Sequence, residues 1–158
     1  MKHIINFFLL LFISVSIAQQ RKVVDIKRFD TPPKIDGIIE DKQWKDLIPA
    51  TKFERWMPNN GASEKQGFEN YVYLGYDDNA IYVGARLNNP NPIPVEFSQR
   101  DDIWQVNAEA FFVSINTYDD NTNYQSFQVT SAGTQGDRYT SGQMSQDDQN
   151  FDTVFESK

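Results

Sequence analysis

The chain has 158 residues, long enough for one domain with a real core, and carries a formal net charge of −7 and no cysteine. The acidic balance argues against nucleic acid, which calls for clustered Lys and Arg, and against an anionic membrane surface. Without cysteine there is no disulfide, no thiol nucleophile and no thiolate metal site, so the core alone must hold the fold.

Residues 1–18 read as a separate object. Lys2 is a short basic start, residues 7–13 are mostly apolar, and Ser16, Ile17 and Ala18 supply small residues at cleavage spacing. This is the pattern of a secretory signal peptide cleaved after Ala18. The apolar run is shorter than the roughly 20 residues a membrane span needs, and a polar Gln19-Gln20-Arg21-Lys22 follows it. The expected product is therefore exported, to the periplasm, the outer membrane or the medium. Taking Lys2 away leaves a mature chain at −8, since no other Lys, Arg, Asp or Glu lies within residues 1–18. No cysteine follows the apolar run, which excludes lipid anchoring through a new N-terminal cysteine.

From there the elements follow in order. Val23-Val24-Asp25-Ile26 reads as an extended first strand. Pro32-Pro33 keeps the backbone extended, and Asp36-Gly37 makes a tight turn after Ile35. Residues 40–47 give one or two helical turns, with Trp44 and Leu47 on one face and acidic Glu40 and Asp41 at the positive end. A strand-like entry, a turn and a short helix with one large aromatic read as the opening of a β-sandwich plugged by Trp44. Residues 53–56 alternate aromatic and charged, as a half-buried strand does. Residues 58–61 form a turn cluster, and residues 62–69 a polar loop.

The clearest hairpin is 71–76 with 81–87, closed by Asp77-Asp78-Asn79-Ala80. Val72, Leu74 and Tyr76 share one face. Ile81, Val83, Ala85 and Leu87 share a face of the return strand, and Arg86 and Asn88 point the other way. Tyr71, Tyr73 and Tyr82 are assigned to strand packing. Residues 88–94, with three prolines, form an irregular loop. Residues 108–115 are apolar on both faces (Ala108, Ala110, Phe112 and Ser114 against Phe111, Val113 and Ile115), which suggests a central strand with Phe111-Phe112 in the core. A polar turn at 118–123, a return strand at 124–130 and a glycine-bounded turn at 133–136 follow. Phe151, Val154 and Phe155 begin what looks like another strand, and the chain stops at Lys158 without a turn or polar tail, so the native product is expected to continue. The expected fold is all-β, an antiparallel β-sandwich of jelly-roll type over residues 19–158, with one short helix after the Ile-Asp-Gly turn.

Chemistry is constrained by what is missing. The only histidine is His3, inside the signal segment, so a Ser-His-Asp arrangement and a histidine metal site are both ruled out for the mature chain. There is no Walker loop, and 133–136 is too short and wrongly spaced for a dinucleotide loop. Carboxylates are plentiful but no pair can be picked out for glycosidase work. Catalysis is not expected in this segment. Asp77-Asp78-Asn79, Asp119-Asp120-Asn121 and Asp147-Asp148 are oxygen-rich turns of the kind calcium uses, though none has EF-hand spacing and these residues favour turns for backbone reasons alone. An aromatic share of 14% leaves some rings over once a core is filled. Trp56, beside Arg55 and before a turn, and Trp104, after Arg100-Asp101-Asp102, are flanked by polar residues. Either could stack on a sugar ring or serve as a core residue with one wet edge.

Lys34-Ile35-Asp36-Gly37 with Trp44, then Val72-Tyr73-Leu74-Gly75-Tyr76-Asp77 and Ala80-Ile81-Tyr82-Val83-Gly84-Ala85-Arg86, resemble the family 9 carbohydrate-binding module and its bacterial relatives. Arg100-Asp101-Asp102, the strand ending near Asn116-Thr117, Tyr124, Phe127 and the run 133–137 point to one subgroup. There the module precedes a large C-terminal domain of outer-membrane-associated type. The resemblance covers 34–157 and rests on order and spacing rather than on one motif. It implies a β-sandwich that binds oligo- or polysaccharide without catalysis, accessory to polysaccharide breakdown or uptake, with calcium as a structural ion in some members. In sugar-binding members the ligand lies between aromatic rings and takes hydrogen bonds from an arginine and a nearby asparagine. Carried over, this implies Trp56 as a stacking face and Arg86 with Asn88 as polar contacts; Trp104 is the other candidate ring. Asn107 and Asn116 stand where the subgroup usually has aspartate, and Phe151 and Phe155 where it has two tryptophans. The alternative reading is a structural N-terminal domain of a larger cell-envelope protein, with the sugar groove degenerate.

Overall fold

The computed structural model describes residues 22–103, 105–142, 147, 148 and 150–158. The expected signal segment, residues 1–18, and Trp104 lie outside the described residues. The chain is mostly β: β1 (Lys27–Arg28), α1 (Lys42–Lys45), β2 (Tyr71–Tyr76), β3 (Ile81–Arg86), β4 (Ala110–Ile115), β5 (Tyr124–Thr130) and β6 (Gln135–Thr140). They form two three-stranded sheets, ordered β1-β2-β3 and β4-β5-β6.

The first sheet is built on the expected hairpin. Its register pairs Tyr71 with Arg86 at one end and Tyr76 with Ile81 at the turn. β1 joins β2 in parallel, so this sheet is not purely antiparallel as expected. It is only a two-residue contact at 27–28, and residues 23–26 carry no ladder.

The buried centre of this half is Phe29, Trp44 and Leu47, with Ile39, Tyr73 and Tyr82 packed against it. Phe29 meets Trp44 edge-on at 5.7 Å between ring centroids, a favoured aromatic geometry. The hairpin offers these rings its glycine face. A Cβ on Gly75 would run into the Phe29 ring, and one on Gly84 would lie 3.2 Å from Trp44. Two large rings thus press close to backbone where side chains are missing. The aliphatic set falls on the opposite face, where Ile81 and Leu87 are exposed. Sequence alternation located the two faces; glycine, not aliphatic content, marks the one that meets the aromatics.

Helix α1 is shorter than the expected 40–47. Asp41 is its N-cap in extended conformation without a side-chain cap bond, and Glu40 lies before the helix. Four residues cannot form a stable helix alone. Burial of Trp44 holds it in place. The expected strand at 53–56 reduces to one bridge, Glu54 with Ser63, inside a projecting loop.

The second sheet differs from expectation in its order. β5 is central and β4 is an edge strand, despite the apolar residues on both faces of β4. Phe112 is accordingly exposed and Phe111 half-buried. The buried residues of β5 are polar: Ser126, Gln128 and Thr130. Ser126 Oγ lies 2.8 Å from Ser114 Oγ, and Thr130 Oγ1 accepts the Thr134 N–H at 3.1 Å. The turn at 131–134 has Gly133 at φ +81°, as a glycine turn should.

β6 takes its place through its edges. Asp101 donates its N–H to the Gln135 carbonyl at 3.1 Å and accepts the Asp137 N–H at 2.9 Å. Tyr139 pairs with Asp148 further along. Beyond it, residues 151–158 run extended with inward and outward residues alternating, but they join no ladder. The strand expected there is present in its alternation and absent from the sheets.

Candidate functional site

Three of the four sequence-selected site residues are described, and register places Arg86 opposite Tyr71. Ala50 pairs with Val72, so the chain leaving Ala50 passes the Tyr71–Arg86 end of the first sheet before entering the 53–63 loop. Trp56 sits in that loop, 77% exposed, next to Met57, which is also exposed. The loop is braced by Arg55 N–H to the Ala62 carbonyl at 2.8 Å and by Gly61 N–H to the Arg55 carbonyl at 3.0 Å. Lys22 adds an ion pair to Glu54 at 2.9 Å. Trp56 is therefore a flat apolar surface presented to solvent on a braced support, and it takes no part in the core.

Arg86 and Asn88 lie at the same end of the sheet. Arg86 donates through Nη2 to Glu40 Oε1 at 2.9 Å, with both side chains more than half exposed. Asn88 donates its backbone N–H to Asn70 Oδ1 at 3.1 Å, and its amide nitrogen donates to the Glu69 carbonyl. The two side chains are fixed rather than free. Most of the guanidinium N–H groups and the Asn88 amide oxygen still have no partner among the described residues, so one donor group and one acceptor remain for a ligand. Glu40, Glu69 and Asn70, which orient them, were not legible as site residues. The sequence assigns Glu40 to the helix and Glu69 to a loop, and gives Asn70 no assignment.

A second feature lies at the other end of this sheet. An open hollow of about 580 Å³ is lined by Ile26, Tyr76, Asp77, Asn79, Ala80 and Ile81. Its carboxylate is already engaged. Asp77 accepts the N–H groups of Asn79 at 2.7 Å and Ala80 at 2.9 Å through Oδ1, and the Tyr82 hydroxyl at 3.0 Å through Oδ2. The bond from Asn79 is the main cause that holds this carboxyl below its ordinary range, against some burial. Burial, followed by the Asp77 bond, raises the Tyr82 hydroxyl. An ionised, locally bonded carboxylate of this kind closes a turn and makes a poor proton donor.

The other acidic turns behave alike. Asp120 accepts from the N–H groups of Thr122 at 3.0 Å and Asn123 at 2.9 Å, and from the Asn123 amide. Asp147 is taken by Arg138 at 2.9 Å and Thr140 at 2.7 Å. Among the described residues no group of three or more acidic side chains is placed to hold a metal ion, and in these turns local backbone and side-chain bonds already occupy the carboxylates.

Arg100-Asp101-Asp102 and Asp137, part of the sequence resemblance, have a structural task. Arg100 bonds the fully buried carboxylate of Asp137 and reaches Asp152 at 3.2 Å. Asp101, at φ +68°, caps β6 where Gly136 leaves room for it. With this geometry established, comparison with known proteins gives no further anchor: no family model, curated protein or solved structure matches the chain.

Proposed function

We propose that this protein is an exported β-sandwich module that binds oligo- or polysaccharide without catalysis, through Trp56 with Arg86 and Asn88. The observation that carries the reading is the exposed Trp56 ring on a braced loop, in a chain that leaves the sheet beside the end that bears Arg86 and Asn88. Sugar C–H faces stack on flat indole rings, while hydroxyls need paired donors and acceptors. The unused N–H groups of Arg86 and the Asn88 carbonyl are of that kind. The sequence resemblance to family 9 carbohydrate-binding modules supports the same residues and the same substrate class, including a role accessory to polysaccharide breakdown or uptake.

Affinity electrophoresis in gels containing xylan, mixed-linkage glucan or mannan tests it. The wild-type chain is expected to be retarded by at least one polymer, and Trp56→Ala to migrate as in plain gel. Equal migration of both in every gel overturns the reading.

One observation favours the second reading, a structural cell-envelope domain with a degenerate groove. Glu40 holds Arg86, and the Glu69 carbonyl holds the Asn88 amide. In that case the three residues serve only to tie 40, 69–70 and 86–88 together, and Arg86→Ala lowers the melting temperature without any glycan effect.

A further inference from the structure

Residues 151–158 are held to the second sheet in a manner unlike its strands. Phe151, Thr153, Phe155 and Ser157 face inward, while Asp152, Val154, Glu156 and Lys158 are exposed. Side chains of the sheet grip the segment. Asp137 Oδ2 accepts the Thr153 N–H at 2.7 Å, and Arg100 donates to the Thr153 carbonyl at 3.3 Å. Gln135 donates to Ser157 Oγ at 2.8 Å. The Phe155 ring meets Phe127 at 5.4 Å and underlies the Arg100 guanidinium at 5.6 Å, and Phe151 lies 6.0 Å from Tyr139.

The Arg100–Asp137 pair thus offers one donor and one acceptor to both main-chain groups of a single residue. Any extended residue satisfies that pair, and the aromatic sites on either side select the sequence. Extended peptides are recognised on the same division of labour: main-chain bonds supply affinity and side-chain sites supply choice. We propose that this face of β5 and β6 is a groove for an extended segment with aromatic residues four apart, and that residues 151–158 of a second copy of this chain occupy it by exchange.

The second copy is favoured over another partner because every copy carries the segment that fits. The contacts inside and between copies are then the same, so exchange costs little beyond association, the usual route to swapped dimers. The absence of a ladder means that no row of strand hydrogen bonds must break for the segment to leave.

The test is sedimentation velocity of the full chain over a wide concentration range, with and without excess synthetic peptide of residues 151–158. A dimer that grows with concentration and is dissociated by the peptide is expected. A peptide carrying Phe155→Ala should compete about tenfold less well, the loss of one buried aromatic contact. Amide exchange gives a second readout on the wild-type chain: Thr153 should exchange ahead of the β5 amides. A chain that stays monomeric throughout, a dimer indifferent to the peptide, or Thr153 exchanging only together with β5 each overturns the proposal.

Discussion

Arg100 donates to an Asp137 side chain that is wholly shielded from solvent, while its own side chain remains 39% exposed. The two partners are therefore unequal. Removing the arginine leaves a carboxylate in the interior with the Thr153 N–H but no counter-charge, whereas removing the carboxylate leaves a cation that water can reach. Arg100→Ala is expected to cost about 3 kcal/mol in chemical denaturation, the range for a broken buried pair. Asp137→Asn should cost about 1–2 kcal/mol, close to the loss of its hydrogen bonds. Equal costs would show that the burial asymmetry has no energetic weight.

The glycine face of the first hairpin gives a sharper steric expectation. A methyl at residue 75 has no room, because the Phe29 ring lies over it. Gly75→Ala should destabilise by about 1–3 kcal/mol, as overpacking does. The double change Gly75→Ala with Phe29→Leu should recover part of that loss, measured by urea denaturation.

Trp44 is buried, and its Nε1 has no partner among the described residues. Trp44→Ala removes the largest piece of this core and should cost about 3–5 kcal/mol. Trp44→Phe loses less volume and also removes an unpaired buried N–H, which itself costs about 1–3 kcal/mol. Its melting temperature should therefore lie much nearer wild type than that of the alanine variant.

The Asp120 turn should leave a signature in acid. Bonds from the Thr122 and Asn123 N–H groups, with the Asn123 amide, hold this carboxyl at about 2, below its ordinary 3.8. A carboxyl with a depressed folded value binds its proton more readily in the unfolded chain. Its contribution is present above the ordinary value and is lost as pH falls through about 2. The melting-temperature gap between wild type and Asp120→Asn should be widest above that ordinary value and should narrow steadily below it. A gap that does not change with pH would contradict the assignment.

How much of this was legible in the sequence depended on the kind of signal. Alternation and turn chemistry located β2, β3 and β5 and the loops between them, because Tyr71 to Tyr76 and Ile81 to Arg86 are strong β-formers around an Asp-Asp-Asn turn. Trp44 and Leu47 were legible as a buried pair from their spacing. The order of the second sheet was not. β6 reads QGDRYT, too polar to announce a strand, and it is fixed by Asp101 and Asp148 from distant parts of the chain. β4 looked central because it is apolar on both faces, yet the centre went to β5, whose buried Ser126 and Gln128 a hydrophobicity pattern cannot mark. At the candidate site, Trp56, Arg86 and Asn88 were legible as residue types. Their partners Glu40, Glu69 and Asn70 were not, since they are brought in from loops. The same holds for the Arg100–Asp137 pair, whose members lie 37 residues apart and look in sequence like ordinary surface charges.

The measurement that bears most directly on the account is a tryptophan-fluorescence titration of residues 19–158 with xylo-, cello- and manno-oligosaccharides, paired with a thermal melt. Of the two described tryptophans Trp56 is exposed and Trp44 is buried, so a bound sugar should change emission through Trp56 while Trp44 stays silent. A saturable change that disappears in Trp56→Ala and weakens about tenfold in Arg86→Ala is expected, the latter corresponding to loss of a charge-assisted hydrogen bond. A cooperative melt with no response to any of the glycans would contradict sugar binding and leave the structural domain as the reading to pursue.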